Sequence, residues 1–161
     1  MQFQEVRRYV RTETTFSTIG STVVGMVVFM FVFGVFEPVP TRGIGAYAFD
    51  FLPQGFMTAL ICAVAGGGVT RVRIRKGAIA PMAGPVPRIS SIWGRGIIYG
   101  LAALTLGSLP VAAVIMASGI DMMDWSLAVT GKIVFGAAVA MIVTPRALRD
   151  ALREPALQSV D

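Results

Sequence analysis

The sequence predicts an all-α integral membrane four-helix bundle, and three observations predict it. Four apolar runs, Phe16 to Phe36, Phe51 to Thr70, Ile97 to Ser118 and Trp125 to Thr144, are each about twenty residues long, which at roughly 1.5 Å per residue crosses a hydrocarbon core of about 30 Å. Lys132 is the one charge inside the runs, in a chain that is 55% hydrophobic and 14% charged. Every Lys and Arg except Arg42 and Lys132 falls before the first run, between the second and third, or after the fourth.

The runs read as helices because every backbone donor and acceptor inside lipid must be satisfied within its own segment. Barrel strands would be about half as long and would alternate. A soluble bundle would show a polar face on each helix, and the stretch from Val23 to Phe33 has none.

Residues 1–15 form a polar segment carrying Arg7, Arg8 and Arg11. The first run that follows is too long for a secretory signal and has no small-x-small cleavage site before Glu37, so it is expected to be an uncleaved span. The first transmembrane hairpin then covers 16–70. Its returning helix opens at Asp50, which is expected to accept from free N–H groups at the helix start, with Pro53 in the first turn where it costs no backbone bond.

The middle connection, 71–95, contains Gly77, Pro81, Gly84, Pro85 and Pro87, a composition that predicts an extended linker without a folded domain. Arg71, Arg73, Arg75 and Lys76 follow the second span directly. They are expected to anchor topology and are the candidate contact for anionic lipid headgroups. The second hairpin covers 96–144. Within it Pro110 frees the carbonyl of Leu106 and should kink the helix, with Thr105 or Ser108 compensating. Residues 145–161 read as a short helical turn from Pro145 and then a mobile tail from Glu154 to Asp161.

Basic residues set the orientation: both termini and the middle connection are expected in the cytoplasm, with Glu37, Asp50, Asp121 and Asp124 on the other side. The same bias accounts for the net charge of +5, so no nucleic-acid partner is expected. The expected location is the bacterial inner (plasma) membrane, as a multi-pass protein. Trp93, Trp125, Tyr9, Tyr47 and Tyr99 fall near span ends, where such rings anchor at headgroup level.

At one constant offset, Asp50 and Phe51 align with Asp124 and Trp125, Val69 and Thr70 with Val143 and Thr144, and Arg75 with Arg149. This predicts two repeated helical hairpins in parallel orientation, related by an axis near the membrane normal. Small-residue pairs such as Gly96 and Gly100, Ser21 and Gly25, and Gly136 and Ala140 permit close helix approach.

With no histidine and a single cysteine, Cys62, the sequence offers no bis-histidine haem, no histidine-based metal site and no paired-thiol chemistry. It carries no phosphate loop and no nucleophile elbow. No cofactor, no metal and no enzymatic activity are expected. Length and span number resemble small multidrug exporters, but those carry a membrane-embedded glutamate in the first span, and Phe16 to Phe36 has no acid.

Lys132 lies roughly 10 Å past Trp125 at helical rise, and its stem is expected to snorkel toward the nearer interface. The candidate polar pocket comprises Lys132, Asp50, Gln54, Thr58 and Thr130. Two functions follow. The first is a non-enzymatic protein acting by association, as an accessory subunit or homo-oligomer, with membrane lipids and a protein partner or second copy as its contacts. The alternative is a small transporter or channel around Lys132.

Overall fold

The structure is a computed structural model that describes residues 2–154; the tail expected beyond Glu154 lies outside these residues. Its elements are α1 (Gln2–Phe33), β1 (Val39–Pro40), α2 (Tyr47–Arg75), α3 (Ile92–Ala103), a π-helical turn (Leu104–Ser108), α4 (Leu109–Ala117), β2 (Met122–Met123) and α5 (Trp125–Leu152). With α3, the π turn and α4 counted as one rod, four helices are long and apolar enough to cross a membrane. The strands pair antiparallel, Val39 with Met123 and Pro40 with Met122, tying together the connections that precede α2 and α5.

All four rods overrun their apolar runs: α3 begins at Ile92, within the expected linker, where the Ser91 side chain caps it by accepting from the Gly94 N–H, and the other three overrun for reasons found in the neighbouring helices. α1 begins at Gln2 because Val6, Tyr9 and Val10 recur at helical spacing and pack against Ile74, Leu148 and Leu152. It stops at Phe33, where Gly34 takes φ +74°, a left-handed conformation that suits glycine. α5 does not end near Pro145 but continues through it to Leu152, since Ala147, Leu148, Ala151 and Leu152 are all buried there. Arg146 bends back to donate to the Ile142 carbonyl at 2.6 Å, next to the ladder position that proline leaves open.

α2 starts at Tyr47, not at Asp50. Its cap, Ala46, has no side-chain bond, whereas Tyr47 and Ala48 are each 2% exposed, so packing rather than capping draws this turn into the helix. Pro53 therefore lies inside the helix, beyond the first turn. Asp124 does act as a cap for α5: its carboxylate accepts from the Ser126 N–H at 2.8 Å and from the Ser126 hydroxyl, which holds its pKa below the ordinary value. The two aspartates that align in sequence thus do different work.

Pro110 is accommodated by the π turn just before it. The Leu109 N–H reaches back to the Leu104 carbonyl, and the Thr105 hydroxyl donates to the Leu101 carbonyl at 2.9 Å. Ser108 does not help; its Oγ is buried without a partner against Gly55.

The rods lie side by side in the order α1, α5, α2, α3–α4. α2 and α5 run in the same direction, as contacts near their starts (Tyr47 to Ala128) and ends (Arg71 to Glu154) require. α1 runs antiparallel along α5, and α3 antiparallel along α2. Gly96 and Gly100 are what let α3 approach so closely: a Cβ at Gly96 would sit 2.8 Å from Val64, and one at Gly100 2.8 Å from Phe56. The centre of the seam is small and apolar, built from Ala59, Cys62, Ala63, Val139, Ala140 and Val143. One end is aromatic, with Phe29, Tyr47 and Phe51 in edge contacts.

Residues 76–91 contain no helix or strand, but the segment is tied down. The Met82 N–H donates to the Leu152 carbonyl at 2.8 Å, while Ile79 and Met82 cover Leu148 and Leu152. The tyrosines turn into the protein: Tyr9 bonds Thr70, Tyr47 donates to the Ala128 carbonyl and Tyr99 to Asp150. Trp125 donates to the Gly34 carbonyl, whereas Trp93 stays exposed. A hydroxyl at a helix junction finds a partner on the next helix before it reaches a headgroup.

Candidate functional site

Because α2 begins at Tyr47, Asp50 is released from capping and faces α5. Its Oδ2 lies 2.7 Å from Lys132 Nζ. Lys132 is only 2% exposed, so it does not snorkel: its stem turns inward to a carboxylate on the neighbouring helix. The ammonium also sits 3.9 Å from the Phe51 ring centroid and 5.1 Å from that of Tyr47, where ring faces offset part of the cost of burying charge.

The site is not saturated with hydrogen bonds. The Lys132 contact to Asp50 lacks hydrogen-bond direction, and Gln54 Oε1 is buried without a donor, although Gln54 Nε2 donates to the Lys132 carbonyl at 3.3 Å. An ammonium with unspent donors and an amide oxygen with an unspent lone pair therefore lie within one turn of each other.

These groups border a cavity of about 530 Å³ between α1 and α2. It exists because α1 leans on α5 and meets α2 only slightly. Asp50, Gln54, Thr58 and Lys132 contribute to one side; Ser17, Gly20, Ser21 and Gly25 line the α1 side. Thr130 is not among them. It stands two positions from Lys132, which on a 3.6-residue helix points it elsewhere, and its exposed hydroxyl is spent on the Ser126 carbonyl.

Farther along the cavity, Thr144 donates to the Ser17 hydroxyl at 3.1 Å, and Ser17 in turn contacts Cys62 Sγ at 3.4 Å, linking α5, α1 and α2. Sequence reasoning passed over Ser17; the signal available was its helical spacing with Ser21 on an otherwise apolar span.

At the basic end of the seam, the four candidate lipid contacts divide. Arg71 grips Glu154 with both nitrogens, Nε to Oε2 at 2.7 Å and Nη2 to Oε1 at 2.9 Å, and also donates to the Ser90 carbonyl. Arg95 bonds the same carboxylate, with both residues buried. Arg73 pairs with Glu13 at 2.8 Å and stacks on Tyr9. Arg75 and Lys76 remain exposed, and neither forms an ion pair among the described residues. Glu154 has no local sequence signal; its role depends on α5 continuing past Pro145.

Among the described residues no three His, Cys, Asp or Glu side chains converge as metal ligands would. The cavity can hold an apolar body with one polar group, directed by Lys132 and Gln54. No protein-family model, curated protein or solved structure matches this chain.

Proposed function

We propose that the chain is a non-enzymatic, multi-pass protein of the bacterial inner membrane that works by association, as an accessory subunit or a homo-oligomer. Both termini and the middle connection lie in the cytoplasm, as the placement of Lys and Arg favours. The observation that carries the reading is the groove between α1 and α2. It is walled by small residues on α1 and opens between two helices that barely touch. Without a hydrophobic drive between helices in lipid, association depends on close packing at small residues and on interhelical hydrogen bonds. Ser17, Gly20, Ser21 and Gly25 offer the first, and Lys132 and Gln54 the second.

The same reading takes the fold as two hairpins, α1 with α2 and α3–α4 with α5. The order α1, α5, α2, α3–α4 supports this, since exchanging the hairpins leaves it unchanged, and the β1–β2 pairing has the same symmetry. Aligning the helix starts instead, Tyr47 with Trp125, shifts the register by four residues from the match of Asp50 with Asp124. In that register Gln54 and Lys132 occupy equivalent places, so a charge stands on one copy where the other has an amide.

The transporter or channel reading keeps one observation in its favour, the Asp50–Lys132 pair beside a cavity. One substitution separates the two. A Cβ at Gly20 would meet nothing within 4 Å, so Gly20→Leu projects bulk into the groove from an open position. By native mass measurement in lipid nanodiscs, wild type should run as a defined complex and Gly20→Leu as a monomer of unchanged melting temperature. Wild type that is monomeric and alone would overturn the association reading and leave transport.

A further inference from the structure

A second cavity, of about 600 Å³, lies between α1 and α5 at the basic end of the bundle, apart from the α1–α2 groove. Arg7 and Arg11 approach it from α1, Arg149 and Arg153 from α5. Each pair is spaced four residues apart, and like charges at that spacing on a helix repel.

Nothing acidic offsets this charge. No Asp or Glu lines the cavity, and none of the four guanidinium groups forms an ion pair among the described residues. Of the acids at this end, Glu13 is committed to Arg73, Glu154 to Arg71 and Arg95, and Asp150 to Tyr99, while Glu5 stands exposed in the first turn of α1 and does not line the cavity. Two donors at the cavity, Arg153 Nε and Thr18 Oγ1, are buried with no acceptor. The linker packs directly on Arg153: a Cβ at Gly84 would lie 2.8 Å from its Nε, so any side chain there would push the guanidinium aside.

Below the arginines the walls turn apolar. Pro145, Ile19 and Met141 line the cavity as it continues along α1 and α5 toward the middle of the bundle, while Val10 and Met82 close it at the level of the arginines. A cluster of guanidinium groups above an apolar channel matches a molecule with an anionic phosphate head and a hydrocarbon chain. We propose that this cavity binds an anionic phospholipid of the cytoplasmic leaflet, its phosphate between Arg7, Arg11, Arg149 and Arg153 and an acyl chain along Ile19 and Met141. Guanidinium groups suit the head because they meet phosphate oxygens with paired donors. Thr14 and Thr15 spend their hydroxyls on the Val10 and Arg11 carbonyls, which leaves Thr18 as the free hydroxyl below the head, available to an ester oxygen.

The site differs from the basic run after α2. Arg71 and Arg73 are spent within the protein, and Arg75 and Lys76 stand on open surface without a cavity. Those last two make the matched control: they carry the same charge as a pair taken from the site, and their loss leaves the cavity intact.

The test is retention of one phosphatidylglycerol by the full chain in a zwitterionic detergent, titrated by native mass spectrometry. Arg11→Gln with Arg149→Gln should weaken binding roughly thirtyfold, since each basic residue facing an anionic lipid contributes about a factor of five. Arg75→Gln with Lys76→Gln should change it less than threefold, and Gly84→Leu, which displaces Arg153, should weaken it without altering net charge. Phosphatidylcholine should not be retained, and glycerol phosphate, which has the head without the chain, should not compete. Equal losses from both double variants would show only diffuse attraction and overturn the site. Competition by glycerol phosphate at matched concentration would overturn the lipid assignment and leave an anion site.

Discussion

The seam between α2 and α5 is closed at each end by a buried ion pair, and the two closures are built differently. At the basic end Glu154 receives two nitrogens from Arg71 and one from Arg95, and the α2, α3 and α5 rods are locked around it. At the other end Lys132 meets a single oxygen of Asp50, flanked by two aromatic rings, with a cavity alongside. The first carboxylate is nearly saturated with donors; the ammonium of the second is not. Arg95 Nη1 is also buried without an acceptor, but Arg95 lines neither cavity described above, whereas Lys132 places its unspent donors beside open space where a further group can be received.

The largest effect should come from Glu154. Glu154→Ala leaves two guanidinium groups facing each other at a buried site, which should cost about 3–5 kcal/mol. Thermal unfolding in detergent would read this as a drop of many degrees, and a variant that melts like wild type would remove the contrast between the two ends.

Lys132→Leu should cost less, about 1–3 kcal/mol, because the stranded Asp50 is 22% exposed at the cavity and keeps some access to water or a proton. Lys132→Leu combined with Asp50→Asn should recover most of that loss. If the single substitution proves neutral, the pair contributes nothing and snorkelling is restored.

Tyr47→Phe removes the hydroxyl that donates to the Ala128 carbonyl at 2.8 Å beside Lys132. A loss of about 1 kcal/mol is expected. A loss as large as that of Glu154→Ala would mean that the cavity end is as rigid as the basic end.

The smallest effect belongs to Asp124, on exposed surface. Its carboxyl is held below its ordinary pKa by Ser126, so its stabilising contribution is present above the unfolded-state pKa and is lost as pH falls through the lower folded value. Asp124→Ala should therefore melt slightly below wild type at neutral pH, and the two curves should converge under acid. A gap that persists at low pH would show that the cap does not depend on charge.

What was legible in the sequence was what hydropathy carries locally. The four spans, the irregular middle connection and the disturbance at Pro110 could all be read from runs, glycines and prolines. Helix ends could not, since Gln2, Tyr47 and Leu152 owe their helical state to side chains on other rods. The same gap separates the candidate pocket from the observed one. Gln54, Thr58 and Lys132 were marked out by polarity within apolar runs and Asp50 by its place at the edge of one, and the structure brings them to one cavity. Thr130 was named by the same criterion, yet it points away, because polarity carries no information about helix phase relative to a neighbour. Glu154 shows the converse: a residue placed in the tail by a local proline signal becomes a buried hub once Ala147, Leu148 and Ala151 carry the helix past Pro145.

The central claim is that the cavity end of the seam serves recognition while the basic end serves folding. It is tested most directly by measuring assembly mass in lipid nanodiscs and melting temperature on the same samples of wild type and the Lys132→Leu, Asp50→Asn double variant. The account predicts that the double variant melts close to wild type and no longer forms the complex that wild type forms. A double variant that keeps the wild-type assembly with unchanged mass would contradict it.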